Sequence, residues 1–360
     1  MYPATVADWR VLAQRRLPRF LFDYVEGGAG DEATLAANVA DFAAIRLRQR
    51  VLLDVAQVDT RSQLAGQACA PPLAAGVPFT LSTVGICPLA EVVAATGQAP
   101  WFQLYMLRDR GAVRALLEAA WAGGCRTLVF TVDLPLPGMR WRDVRNGMAA
   151  SSARAALLRA RQVLARPGWV SDVVIGGRPL SFGNLHRQVP GGRDLNTFKA
   201  WIDAQFDPGV SWRDIDWLRD QWQGRLLLKG ILEVDDARAA VASGADGIVV
   251  SNHGGRQLDA APASITALPA IARAVGSRTE VLMDGGVRSG VDIFKALALG
   301  ARGVLIGRPW VWALAAQGQA GVTRLLAHWQ RELLLTMTLA GVSRIADINP
   351  SHLITPPERP

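Results

Sequence analysis

The sequence DGIVVSNHGGRQLD, residues 246–259, contains the transition on which both the fold and the candidate site depend. Its apolar run at residues 247–250 is typical of a β-strand that is buried on both faces. A polar triplet at residues 251–253 follows at once, and two glycines then allow the backbone to turn. A buried strand therefore ends directly in a polar loop.

His253 and Arg256 place a titratable base and a fixed positive charge in that loop. An isolated histidine is more often held by a local hydrogen bond in a structural role, and Arg256 would then be a surface charge. The polar strand end and the paired glycines favour a catalytic role, because sites in parallel α/β folds lie where strands give way to loops. The predicted chemistry is a neutral imidazole that removes a proton, beside a guanidinium that binds an acidic substrate.

Strand-like and helix-like segments alternate through most of the chain. This alternation indicates parallel strands joined by crossover helices, the α/β architecture of a TIM (β/α)8-type barrel. Gln103 and Tyr105 should lie on one face of their strand because side chains alternate with a period of two. The predicted strands are RVLLDV (50–55, weak), VPFTLST (77–83), PWFQLYM (100–106), CRTLVFTVDLP (125–135), RLLLKG (225–230), DGIVVSN (246–252), TEVLMDGG (279–286) and ARGVLIG (301–307).

We expect one domain over residues 1–360, with two additions to the barrel. Residues 1–50 are predicted to form helices over one end of it, with Asp8 capping a helix that runs through Arg16. Residues 138–215 interrupt the alternation, are rich in Arg, Gly and Pro, and are too long for an ordinary connection. They are predicted to be an insertion at the functional end of the strands.

The composition excludes several classes of protein. Half of the 360 residues are hydrophobic and 19% are charged, which suits a large packed core. The chain has no apolar run of roughly 18 residues, no signal-peptide pattern and no metal-ligand spacing among its three cysteines, so we expect a cytoplasmic protein without a metal. The net charge of +8 suits nucleic acid, an anionic membrane or acidic small molecules, but no nucleic-acid-binding motif accompanies it.

Lys229 and two glycine-rich loops lie at other predicted strand ends. Only three of the 39 basic residues are lysines, and Lys229 could form an ion pair at the barrel mouth or hold a charge beside a reducible cofactor. The loops DGGVRSG (284–290) and IGR (306–308) follow the last two strands, where many barrels bind a phosphate group. No GxGxxG motif opens a first helix, so a mononucleotide fits better than a dinucleotide.

These residues belong to longer segments that resemble the FMN-dependent L-2-hydroxy acid dehydrogenase/oxidase family, and within it most of all the bacterial quinone-linked L-lactate dehydrogenases. The resemblance extends from about the second helix to near residue 345, and SNHGGRQLD is its most specific part. The matching segments are LPRFLFDYVEGGAGDEATL, PFTLSTVGICPLAEV, WFQLYMLRDR, TLVFTVDLPLPGMRWRD, LLLKGI, GADGIVVSNHGGRQLD, DGGVRSG, DIFKALALGA and VLIGRP.

The resemblance implies FMN as cofactor and a role for each matching residue. His253 resembles the catalytic base, and Asp133 the carboxylate that orients it and offsets the imidazolium charge. The remaining implied roles are substrate-carboxylate binding by Arg140 and Arg256, hydroxyl contacts from Tyr24 and Tyr105, a charge beside the flavin N1–C2 carbonyl region at Lys229, flavin contacts at Ser82, Gln103, Thr131 and Ser251, and ribityl-phosphate contacts at Asp284, Gly286, Arg288, Gly307 and Arg308.

The chain departs from this family before PFTLST. There the family has a first barrel strand and helix, whose Ala-Pro-containing turn lies against the flavin. In this sequence CAPPLAAGVPF leads straight into the equivalent of the second strand, so about one βα unit of the eight is absent. Either VLLDV or QACAPPL replaces the strand, or the barrel is strained or open on one side.

The resemblance implies the oxidation of a small L-2-hydroxy acid, with L-lactate favoured, and transfer of electrons to a quinone. The alternatives are an oxidase that uses oxygen, a mandelate dehydrogenase, and a non-catalytic or FMN-deficient barrel caused by the missing unit. A homo-oligomer, tetrameric by resemblance, is also implied. We expect a cytoplasmic protein, with peripheral attachment to the inner face of the cell membrane as an open alternative.

One part of the insertion, SSARAALLRARQVLARPGWV (151–170), has the pattern of a basic amphipathic helix. Its arginines are Arg154, Arg159, Arg161 and Arg166, and its expected apolar face is Ala155, Leu158, Val163 and Leu164, followed by Trp169. Such a helix either lies on an anionic bilayer or covers the barrel mouth with its apolar face on the protein.

Overall fold

The computed structural model describes residues 2–354, except 70–75, 149, 151, 178–181, 186–188, 190–200 and 203. Strands β4 to β10 form one parallel sheet in chain order, while β1 pairs with β11 and β2 with β3, both antiparallel. The strands are β1 (Arg46–Leu47), β2 (Ser62–Leu64), β3 (Gln67–Cys69), β4 (Thr80–Ser82), β5 (Trp101–Leu104), β6 (Thr127–Thr131), β7 (Arg225–Ile231), β8 (Gly247–Val250), β9 (Glu280–Met283), β10 (Gly303–Val304) and β11 (Leu353–Ile354).

Helices connect the strands of the large sheet, as the alternating sequence pattern predicts. The helices are α1 (Val6–Arg16), α2 (Arg19–Glu26), α3 (Ala33–Ala44), α4 (Leu89–Thr96), α5 (Arg110–Ala122), α6 (Trp141–Arg145), α7 (Ala153–Leu164), α8 (Pro167–Trp169), α9 (Trp212–Gln221), α10 (Val234–Ala242), α11 (Ser264–Val275), α12 (Gly290–Ala298) and α13 (Arg308–Ala340). The chain bends within α13, where Gln317 and Gly318 leave helical geometry. Among the described helices, none is long and apolar enough to cross a bilayer.

The seven-stranded sheet curls around a small inner core. Five successive strands each contribute one buried side chain to a single cluster, at positions Trp101, Val129, Leu227, Val249 and Leu282. The alternate residues of the same strands face outward and pack against the helices. The curled parallel sheet with outer helices confirms the predicted TIM-type barrel.

The β2–β3 hairpin closes the end of the barrel where the strands begin. Ala65, at its turn, joins the inner core, and its backbone N–H donates to the Glu280 carboxylate at about 3 Å. Gln67 of β3 accepts a hydrogen bond from the Trp101 indole nitrogen at 3.1 Å. Residues 67–69 thus belong to an end plug and do not replace the missing wall strand, while the rest of QACAPPL lies outside the described residues.

The weak strand expected at residues 50–55 is wrong. The segment is irregular, Leu52 has φ +58°, and its side chain is fully exposed at 101%. The backbone N–H of Arg50 donates to the carbonyl of Leu339 in α13, which ties the segment to the outside of the barrel. Within the described ranges, no strand joins β4 to β10, and residues 70–73, the part of QACAPPL that could still replace the wall strand, lie outside those ranges.

The N-terminal helices lie over the barrel as expected, but the first cap differs from the prediction. Thr5 is the N-cap of α1, and Asp8 is the third helical residue, whose carboxylate accepts from the Thr5 backbone N–H in a capping box. Asp8 therefore supports the helix start from inside the helix. Asp259 accepts from the backbone N–H of Thr34 at the start of α3, so the 246–259 sequence also holds this segment.

The insertion contains α6, α7, α8 and a turn of π-helix at Val170–Ile175. Ala155 of α7 is buried, and Gln162 bonds to the backbone of Phe20 and Asn146, so this face lies on the protein. Leu164, expected on the same apolar face, is 75% exposed, so that part of the prediction is wrong. The helix turns a different set of apolar residues outward.

Candidate active site

Two connected cavities lie at the carboxyl ends of the barrel strands. The inner cavity, about 380 Å³, extends from Ser82 across the barrel to Arg308. The outer cavity, about 400 Å³, lies between the barrel and the insertion and includes Arg140. Both share one set of lining residues, Tyr24, Tyr105, His253 and Arg256. A reaction centre at these residues would connect a ligand in each cavity.

His253 is held in a strained backbone position at this junction. Its φ is +57°, an uncommon value for a residue with a side chain, and the two following glycines continue the left-handed turn. The backbone N–H of His253 donates to the Ser251 hydroxyl at 3.0 Å. Its ring Nδ1 lies 2.9 Å from an oxygen of Asp133. The turn thus aims the imidazole into the cavities, and Asp133 fixes its orientation.

The electrostatic environment favours a neutral His253 and an ionised Asp133. Burial lowers the pKa of His253 below its ordinary value, and Lys229 adds to this effect while Asp133 opposes it. Burial alone would raise the pKa of Asp133, but Lys229 and His253 bring it below the ordinary value. An ionised carboxylate accepts the Nδ1 proton and leaves Nε2 as the basic nitrogen. This arrangement suits a general base near neutral pH.

Lys229 is a buried ammonium with three polar neighbours. Its Nζ donates to the Ser251 hydroxyl at 3.0 Å and lies 3.1 Å from the Asp284 carboxylate. Burial opposes its charged form, yet Asp284 and Asp133 raise its pKa above the ordinary value. Gly230 has φ +113° and interrupts the strand register, and an added Cβ would lie 2.6 Å from Asp133. A glycine is required there to bring Asp133 and Lys229 close together.

Arg140 and Arg256 both lie against the Tyr24 ring. Their guanidinium carbons lie 5.5 Å and 4.8 Å from its centroid. The Nη1 atom of Arg140 is buried and has no hydrogen-bond partner among the described residues, although Asp143 lies 3.8 Å away. Burial, followed by the repulsion from Arg140, lowers the pKa of Arg256. Two buried like charges, one incompletely hydrogen-bonded, favour an anion between them.

A chain of polar side chains crosses the inner cavity. Ser82 donates to the Gln103 side-chain carbonyl at 2.9 Å, and the Gln103 amide donates to the Thr131 hydroxyl at 3.0 Å. Tyr105 lies on the same face, as predicted, and burial raises its pKa to about 12, so its phenol stays protonated. Ser251 does not line either cavity. It is fully buried and positions Lys229 and the His253 backbone instead.

The far end of the inner cavity is rich in arginine and glycine. Asp284, Gly286, Arg288, Gly307 and Arg308 all line it. Gly286 has φ +81°, and a Cβ there would collide with backbone at 1.8 Å. Burial, with Arg256 and Arg288 nearby, lowers the pKa of Arg308 to about 9. A phosphate group would relieve this repulsion and accept hydrogen bonds from the guanidinium groups.

Some structural roles were not predicted from the sequence. Arg308 donates to the carbonyls of Val25, Glu26, Gly27 and Gly254, so it fixes the end of α2 as well as lining the cavity. Gln257 donates to the Asp133 and Leu136 carbonyls and accepts from the Gly138 N–H, which joins the loop to the insertion. The only sequence feature that singled out Arg308 and Gln257 was their position inside segments that resemble the family. Asp143 was also missed, although it follows Arg140 by one helical turn.

Comparison with known proteins agrees with this geometry. The family model described as FMN-dependent dehydrogenase matches residues 13–76 and 73–355. The chain belongs to this family. An L-lactate dehydrogenase from Caulobacter sp. (strain K31) is 50% identical over 377 aligned positions, covering 98% of this chain and 99% of the relative. An L-lactate dehydrogenase from Alcaligenes faecalis is 45% identical, covering 99% and 100%.

Solved structures of related enzymes share the fold of this FMN-dependent dehydrogenase. The monotopic membrane protein (S)-mandelate dehydrogenase aligns with a TM-score of 0.90 at 32% identity, over 99% of this chain and 100% of that one. A mandelate oxidase with bound (S)-2-phenylpropionate aligns at 0.80 and 37%, over 98% of both chains. The expected family, enzyme class and cofactor are thereby confirmed.

The comparisons also bear on the missing unit. The two matched stretches of this FMN-dependent dehydrogenase meet at residues 73–76, where the first barrel unit was expected to be absent. The alignment with the Caulobacter protein spans 377 positions, more than the 360 residues of this chain, so that relative carries residues that this one lacks. The inner cavity nevertheless fits FMN, with polar side chains at one end and the arginine–glycine loops at the other.

Proposed function

We propose that this enzyme oxidises a small L-2-hydroxy acid to the 2-oxo acid, with L-lactate converted to pyruvate. The observation that carries the proposal is the His253–Asp133 pair between two cavities, beside Arg140 and Arg256. The arginines offer forked contacts to a carboxylate, and His253 offers a base to the adjacent hydroxyl. The names of the L-lactate dehydrogenase relatives support the choice of substrate.

In this proposal each side chain has one task. Arg140 and Arg256 bind the substrate carboxylate, and Tyr105 hydrogen-bonds the acid with its protonated phenol. His253 takes a proton from the substrate through Nε2, and the ionised Asp133 stabilises the resulting imidazolium. Bound FMN supplies the acceptor for the two electrons that the substrate loses.

Different side chains would bind the cofactor. Ser82, Gln103 and Thr131 would contact the flavin ring, and Lys229 would hold a positive charge beside its N1–C2 carbonyl region. Gly286, Gly307, Arg288 and Arg308 would bind the phosphate, together with Asp284 at the ribityl end. This assignment is supported by their positions along a single cavity that the family's cofactor fits.

We further propose that electrons pass to a quinone and that the protein attaches peripherally to an anionic membrane. The support is an exposed stripe on α7 formed by Arg154, Leu157, Arg161 and Leu164, which recur at helical spacing. Val174 and Ile175 in the following turn are also exposed. The structural neighbour described as a monotopic membrane protein supports the same proposal.

The lining of the outer cavity supports a second candidate substrate. Its lining includes apolar side chains from the insertion and the barrel, namely Val84, Leu134, Met139, Val144, Met148, Phe182, Ile202 and Phe206. A cavity of about 400 Å³ with such walls has room for a group larger than the methyl of lactate. (S)-Mandelate is therefore the comparison substrate.

The experiment is anaerobic mixing of the purified yellow protein with L-lactate, D-lactate or (S)-mandelate. Rapid loss of flavin absorbance with L-lactate, and none with D-lactate, is expected. If (S)-mandelate reduced the flavin faster than L-lactate, (S)-mandelate would replace L-lactate as the proposed substrate. A protein that stays colourless and inert after FMN is added would favour the non-catalytic barrel instead.

A further inference from the structure

Two buried asparagines, Asn38 of α3 and Asn252 beside His253, form a reciprocal pair. The Asn38 amide nitrogen donates to the Asn252 side-chain oxygen at 2.9 Å, and the Asn252 amide nitrogen donates back to the Asn38 side-chain oxygen at 2.9 Å. Only 1% of Asn38 and 4% of Asn252 are exposed. The pair therefore connects an N-terminal helix directly to the loop that carries the candidate base.

Every hydrogen-bonding position of the Asn252 side chain is used. Its oxygen also accepts from the Gly255 backbone N–H at 3.1 Å, and its amide nitrogen also donates to the Pro262 carbonyl at 2.9 Å. An amide has two donor hydrogens and two acceptor positions, so none is left free. Exchange of the oxygen and the nitrogen would oppose two donors at Gly255 and two acceptors at Pro262. Asn252 thus has one allowed orientation, which Asn38 completes by both donating and accepting.

This pair holds the strained turn at His253 in place. Asn252 bonds forward to Gly255 and outward to Asn38, while His253 between them keeps φ +57°. Such a backbone conformation persists only where its surroundings over-determine it. Without the Asn38 side chain, a buried donor and a buried acceptor of Asn252 would lose their partners, and a change in the turn would relieve both costs. The contact between Nδ1 and Asp133 depends on the turn, because the turn aims the ring.

Asn38 meets the phosphate end of the inner cavity through its backbone. A Cβ added to Gly286 would lie 1.8 Å from the Asn38 backbone oxygen, so α3 and the glycine loop are in direct contact. The Asn38 side-chain oxygen also accepts from the Ser264 N–H at 3.2 Å, at the start of α11. A substitution of the side chain therefore changes the support of the His253 turn and of α11, and it preserves the backbone contact with the phosphate loop.

We propose that Asn38 is a positioning residue for flavin reduction, which acts through Asn252 to fix the turn from which His253 reaches the substrate. The inference rests on the proposed function and adds a residue to it. Neither asparagine is among the described residues that line the two cavities, so the effect of Asn38 passes through other side chains.

Substrate binding should change less than the rate of reduction. Arg256 donates to the carbonyls of Tyr24 and Gly27, which lie outside the turn. We expect loss of the pair to slow flavin reduction at saturating L-lactate by about 10- to 100-fold, the size of effect that a displacement of about 1 Å causes, while the Kd for L-lactate changes by no more than about threefold.

The first test compares Asn38→Leu with Thr34→Val in the FMN-loaded enzyme. Leucine is similar in size but neither donates nor accepts, so both bonds of the pair are lost. Thr34 is a matched control on α3: it is 1% exposed, its hydroxyl donates to the Ala261 carbonyl at 3.0 Å, and valine removes only that bond. Anaerobic stopped-flow measures reduction against L-lactate concentration, and thermal unfolding measures stability.

Slower reduction in Asn38→Leu alone, with FMN retained, supports the proposal. Equal slowing in the control, or a normal rate in Asn38→Leu, overturns it. Asn38→Ser is measured in parallel, so that the result does not depend on the folding of the leucine variant. A hydroxyl supplies one donor hydrogen on a shorter side chain and does not reproduce the two opposed bonds. Reduction by Asn38→Ser at the unmodified rate would equally contradict the proposal.

The second test follows His253 without turnover. The hydrogen bond made by one ring nitrogen sets which nitrogen carries the proton, and Asp133 fixes the Nδ1–H form. Nitrogen NMR of histidine-labelled, FMN-loaded protein reports this form, and His253→Gln assigns the signal by its absence. We expect the Nδ1–H form in the unmodified protein and in Thr34→Val, and a shift towards the Nε2–H form in both Asn38 variants. An unchanged proton position in the Asn38 variants would show that the pair does not position the ring.

The two proposals fail in different ways. If L-lactate does not reduce the flavin of the unmodified protein, the proposed function is wrong, and the NMR comparison still decides whether Asn38 positions His253. If L-lactate reduces the flavin while the Asn38 variants keep both the rate and the proton position, the function stands and the pair only stabilises the fold.

Discussion

At the scale of single residues, Asp133 affects His253 in two ways that a pH profile can separate. Its charge raises the pKa of the imidazole against the effects of burial and Lys229, and its oxygen orients the ring at 2.9 Å. In Asp133→Asn the charge is lost, so the acid limb of flavin reduction should move to lower pH, because protonated His253 becomes less stable. The maximal rate should fall as well, since the imidazolium loses its partner.

His253→Gln is the companion variant. It should keep bound FMN yet slow reduction by several orders of magnitude and remove the acid limb, because glutamine does not titrate. The rate of flavin reduction in both variants is measured by anaerobic stopped-flow between about pH 5 and 9, a range that spans the titration of histidine. A limb that moved to higher pH in Asp133→Asn would contradict the assigned roles.

The arginines make a second residue-scale prediction. Arg140→Lys and Arg256→Lys should each raise the substrate KM and slow reduction, because an ammonium does not reproduce the planar, forked contact of a guanidinium. We expect a loss of about tenfold or more in kcat/KM for each variant. Arg278→Lys, at an exposed position far from the mouth, is the control. Wild-type kinetics in both site variants would place the carboxylate elsewhere.

At the scale of elements, α7 illustrates what a sequence pattern predicts and where it stops. Composition and spacing predicted a basic amphipathic helix, and the helix exists at Ala153–Leu164. Which face lies on the protein depends on contacts that are distant in sequence, such as Gln162 with Phe20. Arg159 and Arg166 bond to backbone carbonyls, including those of Gly147 and Leu17, so they hold the insertion together.

This contact pattern decides how the membrane prediction is tested. Arg154→Glu with Arg161→Glu should weaken flotation with anionic vesicles at low salt, since both side chains are exposed and the attraction is electrostatic. Arg273→Glu with Arg278→Glu is a control of equal charge change elsewhere on the surface. If the unmodified protein does not float with anionic vesicles, or if both pairs behave alike, the stripe on α7 is not the membrane contact.

The seven strands of the barrel wall could be predicted because their sequence features are local. Each is a short apolar run that ends in a polar or glycine-rich loop, and both features are local in sequence. RVLLDV has the same apolar character, yet it lies exposed outside the barrel, because burial depends on a neighbouring strand that local sequence does not encode. The candidate site follows the same logic: His253 and Lys229 stand at strand ends, whereas the second function of Arg308 depends on α2.

At the scale of the whole molecule, the missing unit and the intact polar site have opposite effects on cofactor binding. The first should weaken it and the second should strengthen it. About one βα unit of the family's barrel is missing beside the flavin ring, so we expect the phosphate end to carry a larger share of the binding free energy. There Arg288 stacks 5.3 Å from the Trp312 ring and Arg308 is kept in a pocket where its pKa is lowered to about 9. Both charges are destabilised without an anion, and a bound phosphate dianion would stabilise them.

FMN should therefore raise the melting temperature of the apoprotein more than riboflavin, which lacks the phosphate. At a concentration of about 100 times its Kd, a ligand that binds only the folded state adds about 2.7 kcal/mol of stability, and riboflavin at the same concentration should add much less. Arg288→Ala should bring the two melting temperatures together, whereas Arg308→Ala would also release the end of α2 and is a poorer test. Arg278→Ala, which removes an exposed arginine, should preserve the difference. Equal stabilisation of the unmodified protein by FMN and riboflavin would mean that the ring end dominates binding, despite the missing βα unit beside it.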